Sequence, residues 1–322
     1  MRSVIVGVST SAAITAALLP VTIRNLRNAG RLDRPNERSS HVIPTPRGGG
    51  IACAVGMMAG IGAARLAGGS IPIGPTMGVA ALTLVGHADD RTELSAGCRL
   101  GAQILVGALN GDKQGVSVAN SLRGALVVPS LVNSFNFMDG INGISAGQVV
   151  VWSVSAIPLL RAANLKGLVT LNSVALGSSL AFLPWNIPGA RVFLGDVGSY
   201  LYGSTIAITW LSATSSDRRI AFRLLSPYFC YLADTGSTLV RRTFEGQNLM
   251  EAHRSHAYQR LADQVGVQHW HVACGVSLIS ALSSVFSRAK HGGVLTSLLV
   301  AGYLVSPRVI QAYGANAQAS LV

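Results

Sequence analysis

With 322 residues the chain has room for one large domain or two ordinary ones. Charged residues make up only 12% of it, about half the ~25% of soluble proteins, and the mean hydropathy is +0.44. A pair of soluble domains is thereby excluded. The net charge of +12 would suit a nucleic-acid binder, but in so apolar a chain it reads better as Arg-rich loops facing anionic lipid and anionic substrates. No nucleic-acid partner is expected.

The pattern predicts an all-α polytopic membrane protein of ten to eleven transmembrane helices, forming one domain over 1–322. Expected spans are 4–23, 49–66, 72–86, 100–110, 118–134, 146–161, 167–184, 200–213, 219–235, 271–286 and 292–310. Several fall short of the ~20 residues that a straight crossing needs. The first is followed by Arg24, Arg27, Arg31, Arg34 and Arg38, a basic flank that fits a retained helix rather than a cleaved signal peptide. An odd number of crossings then puts 24–48, 87–99, 135–145, 185–199, 236–270 and 311–322 in the cytoplasm. Of the acidic residues, only Asp112 and Asp217 fall on the other side. The four cysteines show no C-x-x-C spacing and read as buried thiols, neither disulfides nor zinc ligands.

The acidic residues sit in motifs at span ends, where a carboxylate is costly unless it serves a metal or phosphate site. Asp89-Asp90 closes the third span. Adjacent side chains on a helix point about 100° apart, so the two are expected to take different tasks. Asn136-x-x-Asp139-Gly140 puts an amide and a carboxylate on one face, and Asn133 and Asn142 make four polar groups within ten residues. Asp196, set between Gly195 and Gly198, is the expected Mg²⁺ ligand alongside Asp89 or Asp90. His253-Arg254-Ser255-His256 offers donors suited to a diphosphate. In the first loop, Thr45 and Arg47 precede the glycine triplet 48–50. This is not a P-loop, but it offers a place for a lipid phosphate. Each motif alone has a plain structural reading as a polar turn. It is their combination that favours a site.

That combination resembles the polyprenyl-phosphate N-acetylhexosamine-1-phosphate transferases. The resemblance rests on Pro35 to Gly50, Asp89-Asp90 through Arg99, Asn136 through Gly143, Phe182 through Ser199 and Glu251 through Leu261. These segments, in family order, run through about three quarters of the chain. The His-Arg-Ser-His ending, where the peptidoglycan translocase branch carries three histidines, is similar to the branch that primes O-antigen or related polysaccharides. The resemblance implies Mg²⁺-dependent (or Mn²⁺-dependent) transfer of an N-acetylamino-sugar 1-phosphate from a UDP-sugar to undecaprenyl phosphate in the inner membrane, from the cytoplasmic face. It implies Asp196 as metal ligand, with Asp90 assisting. Asp89 and Asp90 would orient the lipid phosphate or accept its proton, and Asn136 and Asp139 would sit by the nucleotide-sugar. His253, Arg254 and His256 would neutralise the diphosphate, with Arg47 and Arg99 as further candidates. A homodimer is compatible with this reading. The chain departs from the family in a short stretch between Arg99 and Asn133, and in His87-Ala88 at positions that are usually apolar.

Three competing readings are the translocase itself, a lipid-phosphate transporter and a catalytically degenerate homologue. The first lacks its triple histidine, and the second lacks the inverted repeats expected of it. The third is kept alive only by the short stretch.

Overall fold

The computed structural model describes residues 1–35, 43–111, 117–216, 220–249, 251 and 253–319. Residues 36–42 of the first-loop motif, Ala252 of the histidine motif, and Asp112 and Asp217 lie outside the described residues. Helices dominate: α1 (Arg2–Asn28), α2 (Gly50–Leu66), α3 (Ile73–Thr92), α4 (Ala96–Gly111), α5 (Val118–Met138), α6 (Ile144–Ala162), α7 (Lys166–Asn186), α8 (Gly195–Ser216), α9 (Ala221–Leu225), α10 (Phe229–Phe244), α11 (Ala257–Gln259), α12 (His269–Phe286) and α13 (Gly292–Ala319). Between α1 and α2 a two-residue hairpin pairs β1 (Leu32–Asp33) with β2 (Thr45–Pro46).

Five stretches, Arg2–Asn28, Ile144–Ala162, Lys166–Asn186, His269–Phe286 and Gly292–Ala312, are long and apolar enough to cross a membrane. Large apolar side chains such as Met58, Leu105, Leu126, Leu180 and Leu298 stand exposed on many helices. This is the surface expected where lipid replaces water. The chain is thus an all-α polytopic membrane protein, and each expected span but the ninth falls on a single helix.

The bundle is organised around α8, which packs against α2, α3, α5 and α7. Its Tyr200, Tyr202, Ile206, Ile208 and Leu211 are all buried. A helix that is apolar on all sides belongs in an interior, and its polar residues are satisfied locally or by neighbours. Thr209 accepts from Asn172 Nδ2 at 2.9 Å, for example, and Asn172 in turn accepts from Trp152 Nε1 at 2.9 Å.

The ninth expected span, 219–235, is not one helix. α9 stops at Leu225, Ser226–Tyr228 form a tight turn, and α10 then continues to Phe244. Pro227 supplies no backbone donor, and its carbonyl is instead taken by the buried Gln148 amide at 2.8 Å. The nine residues 236–244, expected as loop, are therefore helical.

Two helices, α4 and α5, share the short stretch between Arg99 and Asn133 and extend beyond it at either end. α4 and α5 approach closely because Gly107, Gly111 and Gly124 meet at their crossing, where a Cβ on Gly124 would collide with the Gly107 carbonyl. Small residues at such spacing let helix backbones touch in a membrane. Gln103 and Asn133 add a reciprocal amide pair at 3.1 and 2.7 Å. Gly124→Leu is expected to cost ~1–3 kcal/mol through overpacking. It should therefore lower the thermal midpoint of the purified protein, and an unchanged midpoint would show that the seam is not tight.

Candidate active site

The site forms at one end of the bundle because α3 and α8 meet there without side chains between them. A Cβ on Gly86 would strike the Asp196 backbone, so glycine lets the end of α3 lie against the start of α8. Asp90 then caps α8. Its Oδ1 accepts from the Asp196 N–H at 3.0 Å and its Oδ2 from the Val197 N–H at 2.9 Å. These are first-turn amides with no partner inside the helix, and the helix dipole favours a carboxylate there. Gly195, at φ +76°, makes the turn into the helix in the left-handed region, where a side chain would also crowd Asp90.

The strand end of the first loop is strapped to the same place. Phe193 N–H donates to the Pro46 carbonyl at 2.8 Å, while Gly49 and Gly50 N–H groups donate to Phe193 and Leu194 carbonyls at 2.9 and 2.8 Å. The glycine triplet is therefore a structural joint, because its amides are committed to backbone carbonyls and do not cradle a phosphate. Thr45 is likewise buried, with its hydroxyl donated to the Ile43 carbonyl at 2.9 Å, which removes it from the substrate contacts. What the strap delivers is Arg47. Its guanidinium bridges Asp196 Oδ2 at 2.7 Å and Asp90 Oδ1 at 3.3 Å. The side chain is 45% exposed, so it can swing towards an arriving anion.

Asn136, on the last turn of α5, donates from Nδ2 to Asp196 Oδ1 and to Ser199 Oγ, both at 2.8 Å. Asp139 caps that helix and lies within electrostatic reach of Asp196, Arg47 and Asp90. Burial, and behind it the Asp196 and Asp90 charges, push its carboxyl up to about 7 against the opposing pull of Arg47. The two other amides expected here serve the fold: Asn133 pairs with Gln103, and Asn142 donates to the Pro188 carbonyl at 3.3 Å.

Asp89 points elsewhere, as the helical angle demands. It is 4% exposed, accepting from the Leu94 N–H and the Arg99 guanidinium, each at 2.8 Å. Asp89 and Arg99 thus neutralise one another and fix the turn between α3 and α4. Asp89 is buried in this contact, while the Arg99 side chain stays 38% exposed.

The histidine loop docks on α5 through Tyr258, whose hydroxyl donates to the Phe137 carbonyl at 2.9 Å. Its two imidazoles are not equivalent. His256 is buried against Asp234 at 3.1 Å and acts by positioning. His253 stacks on it with ring centroids 5.0 Å apart and is only part-buried. Loss of hydration, and then His256, Arg242 and Arg241, lower the His253 pKa to about 4. Without a bound anion it is therefore neutral at pH 7, and it can hydrogen-bond a phosphate. Arg254 carries charge in this loop and pairs with Asp263 at 2.6 Å.

Asp234 is the residue that the sequence concealed. Beyond His256 it accepts from the Ala257 and Tyr258 N–H groups at 3.0 and 3.3 Å and from the Tyr303 hydroxyl at 2.5 Å. It lay inside an expected span, and a lone acid in such a span is itself a signal. Arg242, also buried, holds the preceding segment through the Asn248 and Glu251 carbonyls at 2.5 and 3.2 Å.

Among the described residues no three Asp, Glu, His or Cys side chains form a ready metal cage. Asp196, Asp90 and Asp139 nonetheless supply hard oxygen donors around one half-exposed guanidinium. Mg²⁺ usually takes one or two carboxylates together with substrate phosphates and waters. The set thus fits a metal shared with a phosphate substrate and does not fit a closed structural site.

Comparisons with known proteins identify a family. Residues 73–214 match the family model of glycosyl transferase family 4, a stretch that contains Asp89, Asp90, Asn136, Asp139 and Asp196. The chain is 30% identical to the decaprenyl-phosphate N-acetylglucosaminephosphotransferase of Mycobacterium tuberculosis, over 85% of this chain and 81% of that protein. It is 26% identical to a probable undecaprenyl-phosphate N-acetylglucosaminyl 1-phosphate transferase of Bacillus subtilis, over 88% and 84%. It is also 25% identical to the phospho-N-acetylmuramoyl-pentapeptide-transferase of Mycobacterium leprae, over 87% and 97%.

Two outcomes are expected. An acid whose pKa is higher in the folded than in the unfolded chain opposes folding once ionised. The Asp139 contribution should therefore be lost as pH rises from about 4 to about 7, and Asp139→Asn should flatten the fall of thermal midpoint over that range. Asp234→Ala removes the acceptor for four donors and for the Thr238 hydroxyl, a change costing at least ~1–3 kcal/mol where buried donors are left unsatisfied. Limited proteolysis should then cut the 253–263 segment faster than in the unaltered protein, and equal rates would show that the loop is held by other contacts.

Proposed function

This chain belongs to glycosyl transferase family 4, among the polyprenyl-phosphate N-acetylhexosamine-1-phosphate transferases, and from that premise we propose its reaction. It transfers an N-acetylamino-sugar 1-phosphate from a UDP-sugar to undecaprenyl phosphate and releases UMP. This would be the first membrane step of O-antigen or another surface polysaccharide. The site would face the cytoplasm from the inner membrane. The observation that carries the reading is the convergence of Arg47, Asp90, Asn136, Asp139 and Asp196 from four separate segments onto one point.

Both substrates are phosphate anions, so positioning and charge neutralisation supply most of the catalysis. A phosphate oxygen of the lipid attacks the sugar-bearing phosphorus, the bond to the bridging oxygen breaks, and UMP departs with that electron pair. The attacking phosphate is largely ionised near neutrality, its second pKa being about 6, so no strong base is required. Asp196 and Asp90, with Asp139 beside them, would hold Mg²⁺ or Mn²⁺, which when bound offsets the charge of the diphosphate. Arg47 leaves its carboxylates to meet the donor. Neutral His253 gives a hydrogen bond at the diphosphate, and Arg254 adds charge.

The translocase is the second reading, favoured by the length of the match to the Mycobacterium leprae protein. The His253-Arg254-Ser255-His256 loop argues against it. Purified protein, undecaprenyl phosphate and Mg²⁺, with a panel of UDP-N-acetyl sugars and UDP-MurNAc-pentapeptide, should separate the two. UMP release is expected with one N-acetylhexosamine donor, falling at least about 100-fold in Asp196→Asn. Release with the pentapeptide donor alone would select the translocase. Silence across the panel from folded protein would overturn both.

A further inference from the structure

Outside the candidate active site, a groove of about 550 Å³ runs between α12 and α13 and reaches the segment that follows the histidine motif. Leu261 and Val267 form that end, and Val276, Ile279, Leu298 and Leu299 continue it along the two helices. Gly275 and Gly302 keep it open, since a Cβ on either would meet nothing within 4 Å. Leu298 in its wall is 66% exposed, and both helices are apolar enough to cross a membrane, so the groove faces lipid. At 1.5 Å per residue, His271 to Ile279 on α12 covers about 12 Å and Leu298 to Ile310 on α13 about 18 Å. Half of the ~30 Å hydrocarbon core is about 15 Å. The groove thus has the length of one acyl chain in one leaflet, on the side of the histidine loop.

The loop end of this groove is basic. His271 lines it, Arg308 sits on α13 at the depth of Ser306 and Ile310, and Arg260 directly precedes Leu261 in the chain. Neither arginine has a carboxylate partner among the described residues, and Arg260 donates to the Gln264 amide oxygen at 3.3 Å. Burial first, and then Arg241 and Arg308, hold the Arg260 guanidinium below its ordinary pKa, with Asp234 opposing. Three guanidiniums from α10, α13 and the loop therefore crowd one another. The neighbouring acids are already engaged: Asp234 with His256 and Tyr303, Asp263 with Arg254, and Glu245 with Arg241 at 3.9 Å. Like charges gathered at a membrane boundary are relieved by an anion from the headgroup layer.

We propose that the groove binds one anionic phospholipid, an acyl chain lying between α12 and α13 and the headgroup phosphate at Arg260 and Arg308. The wall of the groove gives such a lipid a role. Tyr303 lines it, and the Tyr303 hydroxyl is the one that reaches Asp234 at 2.5 Å. Leu261 belongs to the segment that Asp234 and the Arg254–Asp263 pair hold in place. A seated chain adds dispersion contacts to both Tyr303 and Leu261 where open space stands otherwise. The lipid therefore braces the anchor of the histidine loop from outside, whichever reaction the chain performs.

The test is native mass spectrometry of the detergent-purified protein with dioleoyl phosphatidylglycerol or dioleoyl phosphatidylcholine added. One phosphatidylglycerol should bind more tightly than phosphatidylcholine. Arg260→Gln and Arg308→Gln should each weaken it about fivefold, the value of one basic residue at an anionic surface, and leave phosphatidylcholine unchanged. Gly302→Leu fills the groove from α13 and Gly275→Leu fills it from α12, so each should weaken both lipids. Gly62→Leu on α2, where a Cβ also meets open space, should weaken neither. Equal binding of the two lipids, or the same loss in Gly62→Leu as in the groove variants, overturns the site. Displacement of phosphatidylglycerol by an equal amount of undecaprenyl phosphate overturns it in favour of a polyprenyl tail. A dimer that Gly302→Leu and Gly275→Leu both abolish overturns it in favour of a second copy of the chain. Phosphatidylglycerol should also slow proteolysis of the 253–263 segment in the unaltered protein and not in the Arg260→Gln, Arg308→Gln double variant. Cleavage that ignores the lipid overturns the bracing role.

Discussion

The interaction on which the site depends is the cap that Asp90 places on α8. A helix start carries unpaired N–H groups and a partial positive charge, and α8 begins with Gly195 and Val197 buried. Asp90 supplies acceptors for two of these groups from another helix. That single carboxylate fixes the rotation of α8 about its axis, and with it the direction of Asp196. Because Arg47 also pairs with Asp90, the strap, α3 and α8 are held to one another by one group. Asp90 is thus an architectural residue first, whatever it later does to a substrate.

The cap leaves the charges out of balance. Asp90, Asp196 and Asp139 share one guanidinium, and burial first, then the Asp196 and Asp90 charges, raise the Asp139 carboxyl. An excess of negative charge in a part-dry site is costly unless a cation joins it. That is the physical case for the proposed Mg²⁺, and it comes from the protein alone. The same imbalance keeps Arg47 engaged in the absence of ligand. In the proposed reaction the guanidinium is released to the substrates only when another positive charge takes its place.

Much of this was legible in the sequence, for a reason that also marks its limit. Carboxylates and amides at span ends are conspicuous because the medium penalises them, so Asp90, Asn136, Asp139 and Asp196 could be read directly, as could the opposite bearings of Asp89 and Asp90. What the sequence does not display is the demand of the backbone. The glycine triplet looked like a phosphate cradle until its amides were found on the Phe193 and Leu194 carbonyls. Asn133, Asn142 and Thr45 looked like ligand contacts and proved to be bonds that close the fold. Asp234 was hidden by apolar neighbours, which made its helix read as a plain crossing, and the break at Pro227 disappeared into the same run.

The two histidines show how such hidden residues shape the visible ones. His256 is held by Asp234, which also gathers the Tyr303 hydroxyl from α13 and two backbone amides. An imidazole fixed so firmly cannot follow a substrate, but it can present its neighbour. His253 lies stacked upon it, its charge suppressed by desolvation and by the nearby positive groups. The loop therefore offers, in His253, a firmly placed hydrogen-bonding group. Charge neutralisation at this end of the bundle falls to Arg47, Arg254 and any bound metal. A division of labour follows: the arginines answer the charge of the phosphates, while the histidine loop, anchored through Asp234 and Tyr258, fixes the frame in which they are held.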